Sequence, residues 1–240
     1  MSRQNIFAAI LAGGTGTRMQ GAGKPKQFLE IAGKPILVHS VERFLENEDF
    51  EKVMVLVPNE WIDYTQELLQ EHGITERTAV LAGGENRNET LMNALAYIAE
   101  HDHLNEDTIL VTHDSVRPLV SQRIIRENIA AAEKYGACGT AIPATDTIAR
   151  SKDGAFIAEI PERALLYQQQ TPQSFRALLL KRTYENLNEE EKKRLTDACT
   201  IFVMKGAPVY IVPGEPYNIK VTYPSDLQVA EALIKHKKNE

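Results

Sequence analysis

Ile10-Leu-Ala-Gly-Gly-Thr-Gly-Thr-Arg-Met19, continued by Lys24-Pro25-Lys26-Gln27, is the most informative stretch of this chain. The apolar run from Ile6 to Ala12 reads as a buried strand, and the strand stops at Gly13-Gly14-Thr15-Gly16. Glycines let a backbone approach a ligand closely, and successive exposed N–H groups on such a loop form an anion-binding nest. Arg18, Lys24 and Lys26 then follow within nine residues, so the loop is cationic as well. Strand, glycine loop and fixed cations together suit a triphosphate. Neither of the commoner glycine motifs fits. A P-loop needs Ser or Thr after its Gly-Lys, whereas Pro25 follows Gly23-Lys24. A dinucleotide fingerprint begun at Gly14 would need a third glycine where Met19 stands. Taken alone, the glycines describe only a tight strand-to-helix turn beside solvated basic residues.

Outward from this stretch, apolar strands alternate with helical patterns. Lys52–Val57, Thr78–Ala82, Thr108–Thr112 and Cys138–Pro143 read as strands. Asn59 is expected to cap the helix after the first of these, and Ser121 to cap a long helix that Gly136 stops after Tyr135. Such alternation predicts a Rossmann-like α/β fold, a mostly parallel sheet with helices on both faces. Loops at the carboxyl ends of strands carry function in such sheets. Three unusual loops fall there: Gly13 to Arg18, Gly83 to Arg87, and His113 to Arg117.

From 146 to 167 the pattern breaks. Thr147–Arg150 and Ala155–Ile160 flank Asp153-Gly154, the signature of a β-hairpin that leaves the sheet. Its Ile148, Phe156, Ile157 and Ile160 need cover, for which a second copy of the chain is the natural candidate. The chain then returns through a helix over Arg176–Leu187, a strand over Val209–Val212 and a C-terminal helix begun at Pro224-Ser225. The reading is one domain over 1–240 with a projecting β-arm at 146–167.

Composition agrees. The 240 residues are 43% hydrophobic and 25% charged, ordinary values for a globular protein. A net charge of −6 argues against bulk nucleic-acid binding, while cations gather between Arg18 and Lys34, which suits a small anion. Cys138 and Cys199 form no metal-binding or redox pattern and read as buried thiols. The N-terminal apolar run is too short for a signal or membrane segment, so no membrane insertion and a cytoplasmic location are expected.

Leu11-Ala-Gly-Gly-Thr-Gly-Thr-Arg-Met19 with Pro25-Lys26-Gln27 resembles the signature of sugar-phosphate nucleotidyltransferases. In particular it resembles the cytidylyltransferase family whose members act on 2-C-methyl-D-erythritol 4-phosphate or D-ribitol 5-phosphate. The likeness runs from Ile10 to about Ala230, with the motifs in family order. It implies a nucleotide-diphospho-sugar transferase-like fold, CTP and a sugar-alcohol phosphate as substrates, Mg²⁺ or another divalent cation, and a homodimer formed through the arm. It makes Arg18 and Lys26 the stabilisers of the transition state, and Leu11, Ala12, Gly13, Gly14 and Gly16 the triphosphate loop. Gly84, Glu85, Asn86, Arg87, Asn88, Glu89 and Thr90 become the base and ribose pocket, with Gly84 open to a pyrimidine. Read without the likeness, that segment is equally a helix start capped by Asn86 or Asn88. Ser115 and Arg117 fall to the nucleotide, and Asp114 to the metal. His113 reads better as a structural imidazole. Arg163 and Lys220 match the catalytic positions that orient the acceptor phosphate, and the projecting hairpin could carry Arg163 to the partner's site. Thr147, Thr171 and Thr196 match acceptor-contacting hydroxyls more loosely.

The chemistry fits a site without an acid–base pair. The attacking phosphate oxygen is already ionised, so positioning and charge neutralisation do the work. Between the two branches, Leu11-Ala-Gly-Gly, His113-Asp-Ser-Val-Arg-Pro118, Tyr167-Gln-Gln-Gln-Thr-Pro-Gln173 and Thr196-Asp-Ala-Cys199 lean toward ribitol phosphate. That branch makes CDP-ribitol for teichoic acid in the cell wall, and its pathway logic adds a reductase that supplies the acceptor. The alternatives are the methylerythritol branch of isoprenoid synthesis and a nucleotide-binding regulator without turnover. Retention of Arg18, Lys26, Asp114, Arg163 and Lys220 argues against the regulator. A dehydrogenase is weaker still, because the dinucleotide fingerprint is absent.

Overall fold

A computed structural model describes residues 5–14, 24–102 and 104–237. The chain begins with β1 (Ile6–Leu11), every residue of which is buried, and a small ribbon of β2 (Glu30–Ile31) and β3 (Lys34–Pro35) leads into α1 (Ile36–Leu45). Then come β4 (Phe50–Val57), α2 (Ile62–Glu71), β5 (Thr78–Ala82), α3 (Arg87–His101), β6 (Ile109–Asp114), α4 (Gln122–Tyr135) and β7 (Ala137–Pro143). The two-stranded arm, β8 (Arg150–Ser151) and β9 (Ile157–Glu159), precedes β10 (Tyr167–Arg176). The chain closes with α5 (Ala177–Glu185), α6 (Glu189–Lys193), α7 (Ala198–Met204), β11 (Tyr210–Pro213) and α8 (Pro224–Lys237).

Seven strands form one sheet in the order β11-β7-β10-β6-β1-β4-β5. All neighbouring pairs are parallel except those made by β10, which runs antiparallel to both β6 and β7. Because β1 is buried on both faces, its side chains divide between two cores. Ile6, Ala8 and Ile10 join the core beneath α1 and α4, with Val38, Phe44, Ile124 and Ile125. Phe7, Ala9 and Leu11 join the core beneath α3, α5 and α7, with Leu91, Leu95, Leu180 and Phe202. Each large apolar side chain so buried contributes about 1.5–3 kcal/mol. A third cluster, Ile31, Ile36, Val116, Leu119, Val221, Ala230 and Ile234, packs α8 against the ends of the strands.

The chain visits β1, β4 and β5 in one direction, then crosses back to place β6 on the other side of β1. This reversal opens a crevice at the carboxyl ends of β1 and β6, where open α/β sheets bind ligands. The cleft lies there.

Several local expectations change. The polar stretch Tyr167–Gln173 carries no strand pattern, yet it forms most of β10, and Gln170, Thr171, Gln173 and Ser174 are buried. Polar groups are satisfied across the sheet: Thr112 Oγ1 donates to Gln173 O (3.0 Å) and Thr140 Oγ1 to Pro172 O (2.7 Å). Asn59 does not cap α2; it opens a single 3₁₀ turn, and Trp61 takes the N-cap place without a side-chain bond. The helix expected over Arg176–Leu187 is shorter, because Arg176 still belongs to β10. Ser121 does cap α4, accepting from Ile124 N, and Gly136 ends it at φ +82°.

The arm is a hairpin apart from the main sheet, with Arg150 opposite Glu159. Gly154 takes φ +79° in its turn, and Asp153 Oδ1 accepts from the N–H groups of Ala155 and Phe156. Phe156 is 77% exposed, and Ile157 and Ile160 are exposed too. Cys138 and Cys199 are buried and unbridged, and burial pushes the Cys138 thiol up to about 12. Among the described residues no helix is long and apolar enough to cross a membrane.

Candidate active site

Asp114 ends β6 directly beside Leu11 at the end of β1, so its carboxylate forms the floor of the cleft. Three cations meet on it. Arg87, the first residue of α3, places Nη1 at 2.5 Å from Oδ1; Lys220 places Nζ at 2.9 Å from Oδ2; Arg117 Nε lies 3.7 Å from the same Oδ2. Burial by itself would raise the Asp114 carboxyl, but Arg87, Lys220 and Arg117 outweigh it and hold the group well below the usual carboxylate range. The carboxylate is ionised, and the cluster keeps an excess of positive charge. Burial also draws the Arg117 guanidinium below its ordinary value, against the pull of Asp114.

His113 lies under this floor with no exposure. Its Nε2 donates to Arg117 O (3.0 Å), which only accepts, so Nδ1 must accept from the Thr171 hydroxyl (3.0 Å). Thr171 Oγ1 in turn accepts from Asp114 N (3.0 Å). Burial lowers the imidazole to about 4, despite the hydrogen bond to Arg117 O and the nearby Asp114 charge. It is a neutral structural group.

The second glycine loop serves two purposes. Asn86 caps α3 by accepting from Asn88 N and Glu89 N, and Glu89 reaches back to Glu85 N (3.0 Å) and Asn86 Nδ2 (2.6 Å). The cap and the pocket are thus the same residues. Gly84 N donates to Thr90 Oγ1 (3.0 Å), and a Cβ on Gly84 would stand 2.4 Å from Glu89 Cβ and 2.8 Å from its backbone carbon. Packing against the start of α3 is therefore by itself enough to require glycine at 84. Gly13 and Gly14 differ, since a Cβ there would meet nothing among the described residues within 4 Å.

Together these groups enclose a cleft of about 360 Å³, within the usual range for a small-molecule site. Leu11, Gly13, Gly14 and Lys26 line one wall. Gly84, Glu85, Asn86, Arg87 and Thr90 line the other, with Asp114, Ser115 and Lys220 at the base. Ala12, Asn88, Glu89, Arg117 and Thr171 stand behind this lining. Ala12 O accepts from the buried Gln27 side chain (2.7 Å), and Arg117 Nη1 donates to Asn218 O (2.7 Å). Arg163, Thr147 and Thr196 are not brought to the cleft of their own protomer: Arg163 donates to Thr145 O (3.1 Å), Thr147 is exposed on the arm, and Thr196 meets Thr200 (3.0 Å). Gly16 and Arg18 lie outside the described residues. Sequence reasoning passed over Gln27 and Val116 as lining residues, although Gln27 belongs to the quoted Pro25-Lys26-Gln27 motif. Asn218 and Gln170, which brace the base, lie in stretches that carry the family resemblance, but neither is singled out there as a site residue.

Residues 6–236 match the family model described as IspD, 2-C-methyl-D-erythritol 4-phosphate cytidylyltransferase. The chain belongs to the IspD cytidylyltransferase family. Solved structures agree with its fold. The 2-C-methyl-D-erythritol 4-phosphate cytidylyltransferase (IspD) of Francisella tularensis is 26% identical, with a TM-score of 0.78 over 95% of this chain and 99% of that one. The enzyme of the same description from Thermus thermophilus is 25% identical, TM-score 0.71, over 97% and 99% of the two chains. A 4-diphosphocytidyl-2C-methyl-D-erythritol synthase from Anaerococcus prevotii, at 24% identity and TM-score 0.77 over 97% and 96%, shares the fold. In this cytidylyltransferase, three cations are gathered on one carboxylate at the sheet's switch point.

Proposed function

We propose that this protein transfers CMP from CTP to a five-carbon polyol phosphate, releasing pyrophosphate. The observation that carries the reading is the meeting of Arg87, Lys220 and Arg117 on Asp114, with Lys26 lining the same cleft. An oxygen of the acceptor phosphate attacks the α-phosphorus of CTP. A P–O bond forms there, the bond to the β-phosphate oxygen breaks, and pyrophosphate leaves with the electron pair. No proton need move, so fixed cations replace a general base. Lys26 and Arg18 bear on the triphosphate, while Lys220 and a partner's copy of Arg163 orient the acceptor phosphate.

Mg²⁺ is the proposed cofactor. Among the described residues no three His, Cys, Asp or Glu side chains gather as a metal site. Mg²⁺ does not need one, because it takes one or two carboxylates plus phosphates and waters. The ionised Asp114 would hold it in exchange for Arg87 or Lys220, and the ion would supply further neutralisation of phosphate charge.

For the acceptor, the family description and the names of the solved relatives support 2-C-methyl-D-erythritol 4-phosphate. D-ribitol 5-phosphate, toward which the sequence motifs lean, stays as the second reading. Its support is the sequence resemblance, in Leu11-Ala-Gly-Gly and in Ser115 beside Asp114. The product would be CDP-ribitol for teichoic acid, with a reductase as supplier of the acceptor. A homodimer through the exposed arm and a cytoplasmic setting complete the proposal.

The test is pyrophosphate release from CTP and Mg²⁺ with each acceptor in turn. Turnover with methylerythritol phosphate alone supports the first reading. Turnover with ribitol phosphate alone moves the protein to wall-polymer synthesis. Silence with both, while CTP still binds, leaves a nucleotide-binding regulator and sinks the transferase reading.

A further inference from the structure

We infer that Asn218 is the positioning residue of this site: it fixes the segment 218–221 on which the cation cluster takes its spacing. The inference rests on the transfer reaction proposed above. Asn218 is fully buried, and its Nδ2 donates to Thr171 O (2.8 Å) and Gln170 Oε1 (3.1 Å), both on β10. Its Oδ1 is buried with no hydrogen-bond partner among the described residues, so the side chain is held through its donors.

Three of the site's cations register through this short segment. Arg117 Nη1 donates to Asn218 O (2.7 Å), Lys26 Nζ donates to Val221 O (3.0 Å), and Lys220 lies between them with its ammonium on Asp114. Val221 N donates to Val116 O (2.9 Å), tying the segment to the loop after β6 as well. Before Asn218, the chain is docked by a close approach. A Cβ on Gly214 would stand 2.5 Å from Gln170 Oε1, and Gln170 Nε2 donates to Glu215 O (2.9 Å). Asn218 itself does not line the cleft. Its amide converts the fixed position of β10 into a fixed position for Lys220, and small displacements of positioning groups cost large factors in rate.

The experiment compares Asn218→Ala, Lys220→Ala and the double variant in the full chain. Asn218→Ala is expected to lower kcat about 10- to 100-fold with KM for CTP within about threefold. Because Arg117 and Lys26 also register on this segment, the double variant should be slower than Lys220→Ala, but by clearly less than the Asn218→Ala factor. Hydrogen exchange gives a readout independent of turnover: residues 214–223 should exchange at least about tenfold faster in Asn218→Ala, with the rest of the sheet unchanged. A folded Asn218→Ala variant with wild-type kcat, or losses that multiply in the double variant, overturns the inference. Should Asn218→Ala not fold, Gln170→Met removes one of its two acceptors; a smaller loss, again non-multiplying with Lys220→Ala, is expected, and multiplying losses overturn it. A wild type silent with both acceptors defeats the transfer reading instead, and the exchange experiment then decides the positioning role alone.

Discussion

The Lys220 ammonium sits 2.9 Å from Asp114 Oδ2, on the carboxylate whose other oxygen is held by Arg87. One buried acid thus gathers cations from three separate segments: the start of α3, the loop after β6 and the extended stretch before α8. Without Asp114 those cations would repel one another across a partly dry cleft. With it they stand in place before any phosphate arrives, which is the preorganisation that charge-stabilised transfer needs.

The Asp114 pairing predicts a particular acid response. Because the folded value is depressed, its contribution is present above the unfolded value of about 3.9 and is lost as pH falls through the folded one. The melting-temperature gap between wild type and Asp114→Asn should be flat from pH 7 to 5 and shrink only below about pH 4. A gap that already closes by pH 6 would show that Asp114 is not held by its cations.

His113 acts in the same direction, over a higher pH range. With its folded value lowered to about 4, the unfolded chain binds more protons between there and about 6.5. Stability is therefore full above pH 6.5 and declines as pH falls toward 4, by up to about 3 kcal/mol. Ring nitrogen shifts should report the neutral Nε2–H tautomer at pH 5.5; an imidazolium with a midpoint near 6.5 contradicts the buried network.

Two glycine substitutions should separate packing from binding. Gly84→Ala drives a Cβ into Glu89 and is expected to cost about 1–3 kcal/mol of stability, read as a lower urea midpoint. Gly13→Ala meets nothing among the described residues within 4 Å, so its midpoint should stay near wild type while CTP affinity, read by calorimetry, falls. Equal affinity would mean that the triphosphate does not use the space above Gly13.

The arm supplies a test of assembly. Phe156, Ile157 and Ile160 are exposed in the protomer, and replacing all three by Ser should turn a dimer into a monomer in sedimentation velocity. If Arg163 serves the partner's cleft, mixing Arg163→Ala with Lys220→Ala protomers should restore about a quarter of wild-type turnover from two inactive parents, since one site in a mixed dimer is intact and half the dimers are mixed. No recovery would place Arg163 outside the reaction.

Features legible in the chain itself were local ones. The apolar run Ile6–Ala12, the glycines after it and the alternation of strands with helices follow from period and composition, and they imply a mostly parallel sheet with its loops at one edge. The hairpin at Asp153-Gly154 and the Ser121 and Gly136 boundaries of α4 are equally local, because turn and cap chemistry acts within a few residues. The strand Tyr167–Arg176 is different, since it exists only through long-range pairing. Nothing in Gln-Gln-Gln-Thr-Pro-Gln alternates, and its polar groups become strand-like only once Thr112, Thr140 and Asn218 answer them from other elements. The same holds for the site. Arg87, Arg117 and Lys220 are ordinary surface cations in sequence, and they become a cluster because folding buries one carboxylate among them, where charge must be paired.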